Sequence, residues 1–169
     1  MKTILETNRL LLREFDISDA ENFYQLNLNP NVIKYTGNSA FKGINEVKEF
    51  IENYSDYKRN GYGRWAVINK STNQFLGWCG LKYDDKLDET DIGFRFFEHF
   101  WNLGFATESA KACIDYGFKE LHLKMIVGRA MKENLASIKV LEKIGLQYNR
   151  DFDFDGKNGV IYKIENIKS

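Results

Sequence analysis

The sequence predicts an α+β fold in which about seven strands form one mixed, mostly antiparallel sheet and about four helices cover it. Three observations predict this class. Strand and helix periodicities follow each other in the order β, α, α, β, β, β, α, β, α, β, β, hairpin-like spacing joins most of the strands, and one strand-helix-strand unit interrupts the hairpins. Because such a unit joins parallel strands by a right-handed crossover, the sheet should be mixed.

The first strand is predicted at residues 10–15, where apolar residues dominate. Ser18 and Glu21 have the spacing of a capping box, so we expect a helix over residues 20–28. Pro30 should end that helix, because proline inside a helix removes a hydrogen bond and clashes with the preceding turn.

The middle of the chain predicts a second helix and then a meander. Apolar residues at helical spacing indicate a helix over residues 45–59, and Gly61 is suited to end it. Alternating patterns at residues 64–68, 75–83 and 90–97 predict strands joined by polar turns. These strands should form an antiparallel meander.

The last third contains the strand-helix-strand unit. A helix is predicted over residues 104–121, a strand over 124–130 and a second helix over 135–144. Two final strands should surround the turn at residues 155–159. The strand at 124–130 should lie parallel to the strand at 90–97.

Size and charge restrict the function classes. At 169 residues the chain has the length of one domain, so we predict a single domain over residues 1–169. Hydrophobic residues make up 43% and charged residues 28%, the balance of a globular protein. Lys and Arg number 24, as do Asp and Glu, so no net charge favours nucleic acid. We expect no nucleic-acid partner.

The cysteines and the N-terminal segment indicate the compartment. Cys79 and Cys113 lack the spacing of zinc sites or disulfide frameworks, so we expect two buried thiols and no metal. Glu6, Arg9 and Arg13 interrupt the N-terminal apolar pattern, which is therefore unlike a signal peptide. No run approaches the roughly 20 apolar residues of a membrane span. A cytoplasmic protein without a membrane partner is the expectation.

The segment between Phe97 and Thr107 leaves a strand and enters a helix. The start of a helix exposes unpaired backbone N–H groups and about half a positive charge, which suits phosphate oxygens. Gly104 and Ala106 are small enough for a phosphate to approach the backbone, and Thr107 adds a hydroxyl. The same residues would also suit a loop that merely opens a buried helix, and this segment alone does not decide between the two.

Longer strings carry a resemblance to a known family. They are Asn8-Arg9-Leu10-Leu11-Leu12-Arg13, Asp91-Ile92-Gly93-Phe94-Arg95-Phe96, Trp101-x-x-Gly104-Phe105-Ala106-Thr107-Glu108 and the run from Glu133 to Leu146. The third string resembles the turn with which GNAT acetyltransferases cradle the pyrophosphate of coenzyme A. Together the strings are similar to the Rim-type branch, which comprises ribosomal-protein N-terminal acetyltransferases and their relatives. The resemblance covers nearly the whole chain.

The resemblance implies acetyl-CoA as cosubstrate and a GNAT-like sheet in which the two parallel strands splay apart. Backbone N–H groups would bind the pyrophosphate, and they belong to Asn102, Leu103, Gly104, Phe105, Ala106 and Thr107. The strand that contains Phe94 and Phe96 would pair with the pantetheine arm as with another strand. A main-chain N–H near Phe96 or Phe97 would polarise the thioester carbonyl.

The helix after the second parallel strand would contribute two further residues. The resemblance implies that Asn134 contacts the pantetheine arm and that Ser137 lies near the departing thiolate. Asn134 would also serve as an ordinary helix N-cap, and the two roles are compatible. Many GNAT enzymes have a tyrosine seven residues after this asparagine to protonate coenzyme A, whereas this chain has Leu141. Ser137 is therefore the predicted acid.

Attack on a thioester requires a neutral amine, so a base or a water relay should lie nearby. Asp91 and Glu89 are the candidates close in sequence, with Glu108 further away. Acidic residues at strand and helix starts also serve solvation and the helix dipole. Many GNAT turns carry basic residues where this chain has Asn102 and Leu103, which predicts that pyrophosphate binding relies on backbone donors.

The sequence does not identify the acceptor amine. Tyr35, Phe41, Trp65 and Trp78 are candidates for an acceptor groove, although such aromatics are often core. Acidic clusters at residues 84–89 and 151–155 would favour a cationic amine if they face the cleft. A peptide N-terminus, a polyamine, an amino acid and an aminoglycoside are all compatible with the sequence, and so is a homodimer.

Two other function classes compete with an enzyme. A non-catalytic acyl-CoA sensor or structural module would also use backbone contacts and would not need the missing tyrosine. A Rossmann or P-loop nucleotide-binding protein fits poorly, because the turn lacks both glycine-rich motifs and a meander precedes it.

Overall fold

The strands of the computed structural model, which describes residues 1–167, form one sheet of eight. They are β1 (Thr3–Glu6), β2 (Leu10–Arg13), β3 (Arg64–Asn69), β4 (Phe75–Asp84), β5 (Glu89–Phe96), β6 (Met125–Met131), β7 (Gln147–Phe154) and β8 (Lys157–Glu165). Their order in the sheet is β1-β2-β3-β4-β5-β6-β8-β7. Only β5 and β6 are parallel among these neighbours, so the predicted mixed, mostly antiparallel sheet is confirmed.

The extra strand relative to the prediction is β1. It is four residues long, largely exposed, and pairs with a neighbour only along β2. Its two half-buried residues, Ile4 and Leu5, are adjacent in sequence, so the strand shows no alternation. The predicted turn at residues 155–159 is shorter than expected, because β8 already begins at Lys157.

Six helices connect the strands. They are α1 (Ala20–Leu28), α2 (Pro30–Ile33), α3 (Ile44–Glu52), α4 (Asp56–Asn60), α5 (Phe105–Lys119) and α6 (Leu135–Lys143). The predicted helix at residues 45–59 is in fact α3 and α4. It breaks where Tyr54 turns inward, because the Tyr54 hydroxyl accepts a hydrogen bond from the Arg64 N–H at 2.7 Å.

The start of α1 also differs from the prediction. The observed cap is Asp16, whose side chain accepts from the Ser18 N–H and forms a capping box with Asp19 around a 3-10 turn. The predicted box between Ser18 and Glu21 is therefore wrong. Pro30 follows the end of α1 as predicted, but it also begins α2, where its missing N–H has no cost.

Apolar layers cover both faces of the sheet. Helix α5 covers one face, where Cys113 lies 3.8 Å from Cys79 of β4, sulfur to sulfur, and both thiols are buried as predicted. Helices α1 and α3 cover the first strands on the other face through Phe23, Leu26 and Val47. The second face of β5 is left to polar residues.

The parallel strands part early. Asp91 opposite Val127 is the one pair in the described register of β5 and β6. Beyond it, β6 continues along β8 while β5 continues along β4, so the strands diverge toward their carboxyl ends. The predicted splay is therefore present, and it opens toward the turn that leads into α5.

Of the helices in residues 1–167, none combines the length and apolar character that a membrane span requires.

Candidate active site

The turn before α5 presents a row of free backbone donors. Asn102 and Gly104 have φ values of 60° and 81°, and Gly104 occupies the N-cap position without a side-chain capping bond. The first helical bond of α5 is donated by the Glu108 N–H to the Gly104 carbonyl at 3.0 Å. Among the described residues, the N–H groups of 102–107 have no acceptor. This end of α5 therefore offers several aligned donors and the positive end of its dipole to an anion.

A basic side chain that the sequence analysis missed lies beside this turn. Arg9 Nη1 donates to the Leu103 carbonyl at 3.0 Å, and its guanidinium lies 4.4 Å from the centre of the Phe105 ring. Arg9 comes from the β1–β2 connection, about a hundred positions earlier in the chain. Sequence spacing gave no signal of this contact. The turn therefore has a basic side chain beside it, and the prediction that backbone donors bind the pyrophosphate stays a prediction.

Glu108 holds Arg9 in this position. Its carboxylate accepts from Thr7 Oγ1 at 2.6 Å, from the Arg9 N–H at 3.0 Å and from Arg9 Nε at 2.6 Å. Burial opposes ionisation, but the hydrogen bonds from Thr7 and Arg9 outweigh it and lower the pKa of Glu108. Glu108 therefore ties α5 to the β1–β2 connection and is unsuited to accept a proton from an amine.

The exposed edge of β5 is partly occupied. Phe97 lies outside the strand, and its N–H donates to the Leu76 carbonyl at 3.1 Å. Of the two predicted donors to the thioester carbonyl, this leaves Phe96. The Phe96 carbonyl accepts from the indole N–H of Trp101 at 2.9 Å, which folds the turn back onto the strand. Phe94 and Phe96 direct their rings to the α5 face. Backbone groups alternate in direction along a strand, and the Phe97 N–H points to β4, so those of Phe94 and Phe96 face the gap between β5 and β6.

The start of α6 lies beside β6. Asn134 is the N-cap of α6, and its Oδ1 accepts from the Ser137 N–H at 3.2 Å. Ser137 is half-buried, and its hydroxyl makes no hydrogen bond to the described residues. Leu141 is 2% exposed and packs on Gly128. A Cβ added at Gly128 would lie 2.5 Å from the Leu141 side chain. The position of the family's tyrosine is therefore filled by a core residue.

The candidate bases lie on the other face of β5, in an ion-pair cluster. Glu89 contacts Arg150 at 2.8 Å and Arg129 at 3.1 Å. Asp91 contacts Arg64 at 2.9 Å and Arg129 at 3.6 Å. An incoming amine would have to compete with these guanidinium groups for the same carboxylate oxygens.

Glycine makes room for this cluster. The Arg64 side chain crosses β4 and β5 to reach Asp91, and it donates to the Gly80 carbonyl at 2.6 Å on the way. A Cβ on Gly93 would lie 2.6 Å from the Arg64 guanidinium carbon. Arg64 can therefore reach Asp91 only because residue 93 is glycine. In the Asp91-Ile92-Gly93 string, Asp91 and Gly93 thus both contribute to the polar face.

The predicted groove aromatics divide between two environments. Trp65 is 1% exposed and packs on Tyr116 of α5, and Phe41 packs on Phe23 and Phe50. Neither of these two lies on the polar face of β5, and their packing matches the alternative that such aromatics belong to the core. Trp78 does lie on that face. Tyr35 is half-buried in the α2–α3 connection.

We call the space over this polar face the acceptor groove. Its floor consists of Trp78, Arg64, Arg95, Asp91 and Arg129, which occupy neighbouring positions on β3 to β6.

The α2–α3 connection and the β7–β8 hairpin border the acceptor groove. Phe154 of the hairpin lies so near Gly37 that a Cβ at Gly37 would come within 3.2 Å of its ring.

Several carboxylates of the two acidic clusters are engaged in ion pairs. Asp84 and Glu89 pair with Arg129, while Asp85 pairs with Arg59 on the surface. Asp151 pairs with Lys132. Surface depressions of 260 Å³ and 320 Å³ lie along the β7–β8 hairpin and beside α3 and α4. The first is lined in part by Asp151 and Asp153 of the second acidic cluster, and neither contains a predicted catalytic or cofactor-binding residue.

Comparison with known proteins gives consistent matches. A family model described as an acetyltransferase (GNAT) domain matches residues 9–147. The chain is 35% identical to the protein YkkB of Bacillus subtilis over 154 residues, 88% of either chain. It is 32% identical to the uncharacterised N-acetyltransferase p20 of Bacillus licheniformis over 145 residues, 85% of this chain and 82% of that protein.

A solved structure has the same fold over nearly its full length. The crystal structure of a GNAT-family acetyltransferase from Bacillus anthracis has a TM-score of 0.83 and 28% identity, and it covers 97% of this chain and 98% of that chain. Within residues 1–167, no three His, Cys, Asp or Glu side chains are grouped closely enough to hold a metal ion.

Proposed function

We propose, because the chain belongs to the GNAT acetyltransferase family, that it moves the acetyl group of acetyl-CoA to a primary amine by direct attack in a ternary complex. Membership makes the chain an acyl-CoA-dependent N-acetyltransferase. It also disfavours the sensor and the nucleotide-binding alternatives. We further propose the roles of individual residues and the class of acceptor, and we propose that residues 1–169 form one domain.

One observation carries the cofactor assignment. The N–H groups of residues 102–107 have no acceptor among the described residues, although they stand at the start of a helix of 15 residues. Backbone donors left free in this way are suited to phosphate oxygens. We assign the pyrophosphate of acetyl-CoA to them, with Arg9 as a nearby positive charge.

The pantetheine arm would then lie along the edge of β5 in the gap that opens beyond Asp91. Phe94 and Phe96 provide the backbone for this pairing, and the Phe96 N–H is the candidate donor to the thioester carbonyl. A donor of this kind is worth about 3 kcal/mol in other enzymes. The Trp101 indole N–H donates to the Phe96 carbonyl. This hydrogen bond would have to break before the pantetheine arm could pair with the same oxygen.

The chemical step moves two protons. The amine nitrogen forms a bond to the thioester carbon, the carbon–sulfur bond then breaks, and the sulfur receives a proton while the nitrogen loses one. Ser137 is the proposed acid, because its hydroxyl has no other partner in the described part of the chain and lies one helical turn from Asn134. Asp91 and Glu89 remain the proposed terminal proton acceptors, reached through water because guanidinium groups surround both.

Assignment to the Rim-type branch is also part of the proposal. Its support is the run Trp101-x-x-Gly104-Phe105-Ala106-Thr107-Glu108, in which Glu108 has an observed role as the anchor of Arg9. We expect a cytoplasmic enzyme that acetylates a protein N-terminus or a small amine.

Release of free thiol from acetyl-CoA tests the function. The protein should release coenzyme A at a rate that depends on the added amine, in a panel of peptides, amino acids, polyamines and aminoglycosides. Thermal stabilisation by coenzyme A, measured in parallel, reports binding alone. Stabilisation without thiol release from any amine would favour the acyl-CoA sensor instead.

A further inference from the structure

Arg95 differs from the other arginines of the acceptor groove. Arg64, Arg129 and Arg150 each have a carboxylate within 4.0 Å, whereas Arg95 has none among the described residues. Its hydrogen-bond partners are two neutral amides, the Oδ1 atom of Asn27 and, at 3.2 Å, the Oδ1 atom of Asn38. Asp84, Glu89 and Asp91 thus pair with Arg64, Arg129 and Arg150, and the charge of Arg95 has no counter-ion among the described residues.

The surroundings of Arg95 hold it in place without neutralising it. Asn27 is 2% exposed, and its own Nδ2 is fixed by a bond to the Phe23 carbonyl at 2.7 Å. The Arg95 guanidinium also lies 5.2 Å from the centre of the Trp78 ring. Burial and the positive charge of Arg64 lower the pKa of Arg95 to about 10, which still leaves it protonated at neutral pH. Burying a charge without a counter-ion costs free energy, so a ligand that supplies the counter-ion recovers it.

The acceptor groove is short of hydrogen-bond acceptors as well as of negative charge. The two bonds to asparagine use two of the five N–H donors of Arg95. Trp78 Nε1 and Arg129 Nε are buried donors without an acceptor among the described residues. A cationic acceptor such as a polyamine would add donors and positive charge to a space that already has an excess of both.

We propose that the acceptor amine carries a carboxylate in the same molecule and that Arg95 binds this carboxylate. This inference rests on the proposed function, because it names the acceptor class of the same site. Arg95 lies on β5, the strand assigned to the pantetheine arm, and its side chain is on the groove face. A carboxylate bound there would hold its amine on the side of β5 from which the thioester is attacked. Arginine suits this role because its planar fork matches a carboxylate.

Matched acceptors test the inference. The pairs are L-alanine with L-alaninamide, β-alanine with β-alaninamide, and a peptide amide starting with Asp with the same peptide starting with Asn. Thiol release from acetyl-CoA gives kcat/KM for each, and spermidine serves as the cationic comparison. Binding of a carboxylate by a charged donor predicts that at least one acid exceeds its amide by about 10- to 100-fold.

Two variants separate recognition from a structural role. Arg95→Gln removes the charge, and Asn27→Asp keeps Arg95 but gives it an internal carboxylate of nearly the same shape. Both should bring the acid-to-amide ratio close to one, because the rate with the acid falls more than the rate with the amide. Circular dichroism and stabilisation by coenzyme A report whether both variants fold. If Arg95→Gln is unfolded, Asn27→Asp alone is sufficient for the test.

The outcomes are distinct. Equal rates for acid and amide in every pair, or a ratio that persists in Asn27→Asp, would overturn the assignment of Arg95 and leave the proposed function intact. Equal loss with acid and amide would show that Arg95 only supports the α2–α3 connection through Asn38. Absence of thiol release with every acceptor would overturn the proposed function, and this inference with it.

Discussion

In the turn before α5, the backbone conformation restricts which residue types fit at individual positions, in addition to any requirement of a ligand. Asn102 and Gly104 both have positive φ values, a region that asparagine and glycine tolerate better than lysine or arginine. At Asn102, the departure from the basic residues of many GNAT turns therefore has a conformational reason. The positive charge enters from Arg9 instead, which reaches the Leu103 carbonyl from another strand.

Replacing Gly104 should separate ligand binding from folding. Gly104→Glu places a negative side chain beside the free N–H groups and forces a left-handed residue, so coenzyme A should no longer raise the melting temperature. Gly61→Glu is the matched control, since Gly61 has a φ of 79° and no neighbour within 4 Å of a Cβ. Both variants should lose about 1–2 kcal/mol of unfolding free energy. Full stabilisation by coenzyme A in Gly104→Glu would show that the site is misplaced.

Ser137 should matter for turnover more than for binding. Its hydroxyl is the one we assign to protonate the departing thiolate, so Ser137→Ala should lower kcat by about a hundredfold. The dissociation constant for coenzyme A, from calorimetry, should stay within a few-fold, because Asn134 still caps α6. Ser137→Thr keeps a hydroxyl and should retain most of the rate. Unchanged kcat in Ser137→Ala would remove the acid role from this residue.

At the scale of elements, the turn at residues 102–107, which we call the cofactor turn after its proposed role, depends on a contact between distant parts of the chain. Thr7 and Arg9 bind Glu108, which fixes the β1–β2 connection against the first turn of α5. Because Arg9 also holds the Leu103 carbonyl, the position of the turn depends on this contact. The carboxylate also lies near the positive end of the α5 dipole, where negative charge is favourable.

Removing the charge of Glu108 should therefore destabilise the protein in a pH-dependent way. Glu108→Gln should lose about 1–3 kcal/mol of unfolding free energy at neutral pH, since a charged acceptor with several donors is lost. The folded-state pKa of Glu108 is lowered, so its contribution is present above the unfolded-state pKa and disappears as the pH falls through the folded value.

Urea titrations at a series of pH values measure this effect. The difference between the natural protein and Glu108→Gln should shrink as the pH falls below about 4. Glu120→Gln is the control, because Glu120 is exposed at the other end of α5 and has no ion pair in the described structure. A pH-independent difference for Glu108→Gln would indicate that packing, and not charge, makes the contribution.

The elements that the sequence predicted well are those with strong local patterns. The meander and the crossover through α5 follow from alternation and helical spacing, and they are confirmed. The break between α3 and α4 was missed because its cause is tertiary: Tyr54 and Tyr57 turn toward the first residue of β3. Helical spacing does not reveal such a contact.

The site divides in the same way. The turn at residues 102–107 was visible in the sequence, since a glycine at a helix start is a local feature. Arg9 and Arg95 were not, because their significance depends on which partners lie nearby in space. No spacing shows that Arg64 takes Asp91 as its partner while Arg95 takes Asn27. Charge balance within a groove is a property of the fold.

At the scale of the whole molecule, the two faces of the sheet have different tasks. The α5 face is apolar and contains Trp65, Cys79 and Cys113, while the second face of β5 carries the arginines and carboxylates of the acceptor groove. The gap between β5 and β6 joins the two faces. Under the proposed function, a cofactor bound on the α5 side would reach through this gap an acceptor bound on the other, and this would require both layers to stay aligned.

One cooperative unit should therefore include both layers. The tryptophans report on separate parts: Trp65 on the α5 face, Trp78 on the floor of the groove, and Trp101, which is 41% exposed, at the cofactor turn. Variants that keep one tryptophan each, with phenylalanine at the other two positions, should show urea transitions with a common midpoint. That midpoint should match the one from far-ultraviolet circular dichroism, as two-state unfolding of a single domain requires.

Coenzyme A at 100 times its dissociation constant should stabilise all three single-tryptophan variants by about 2.7 kcal/mol. Separate midpoints for Trp65 and Trp78 would contradict the prediction of one domain, and a shift confined to Trp101 would mean that the ligand orders the turn without coupling to the layers.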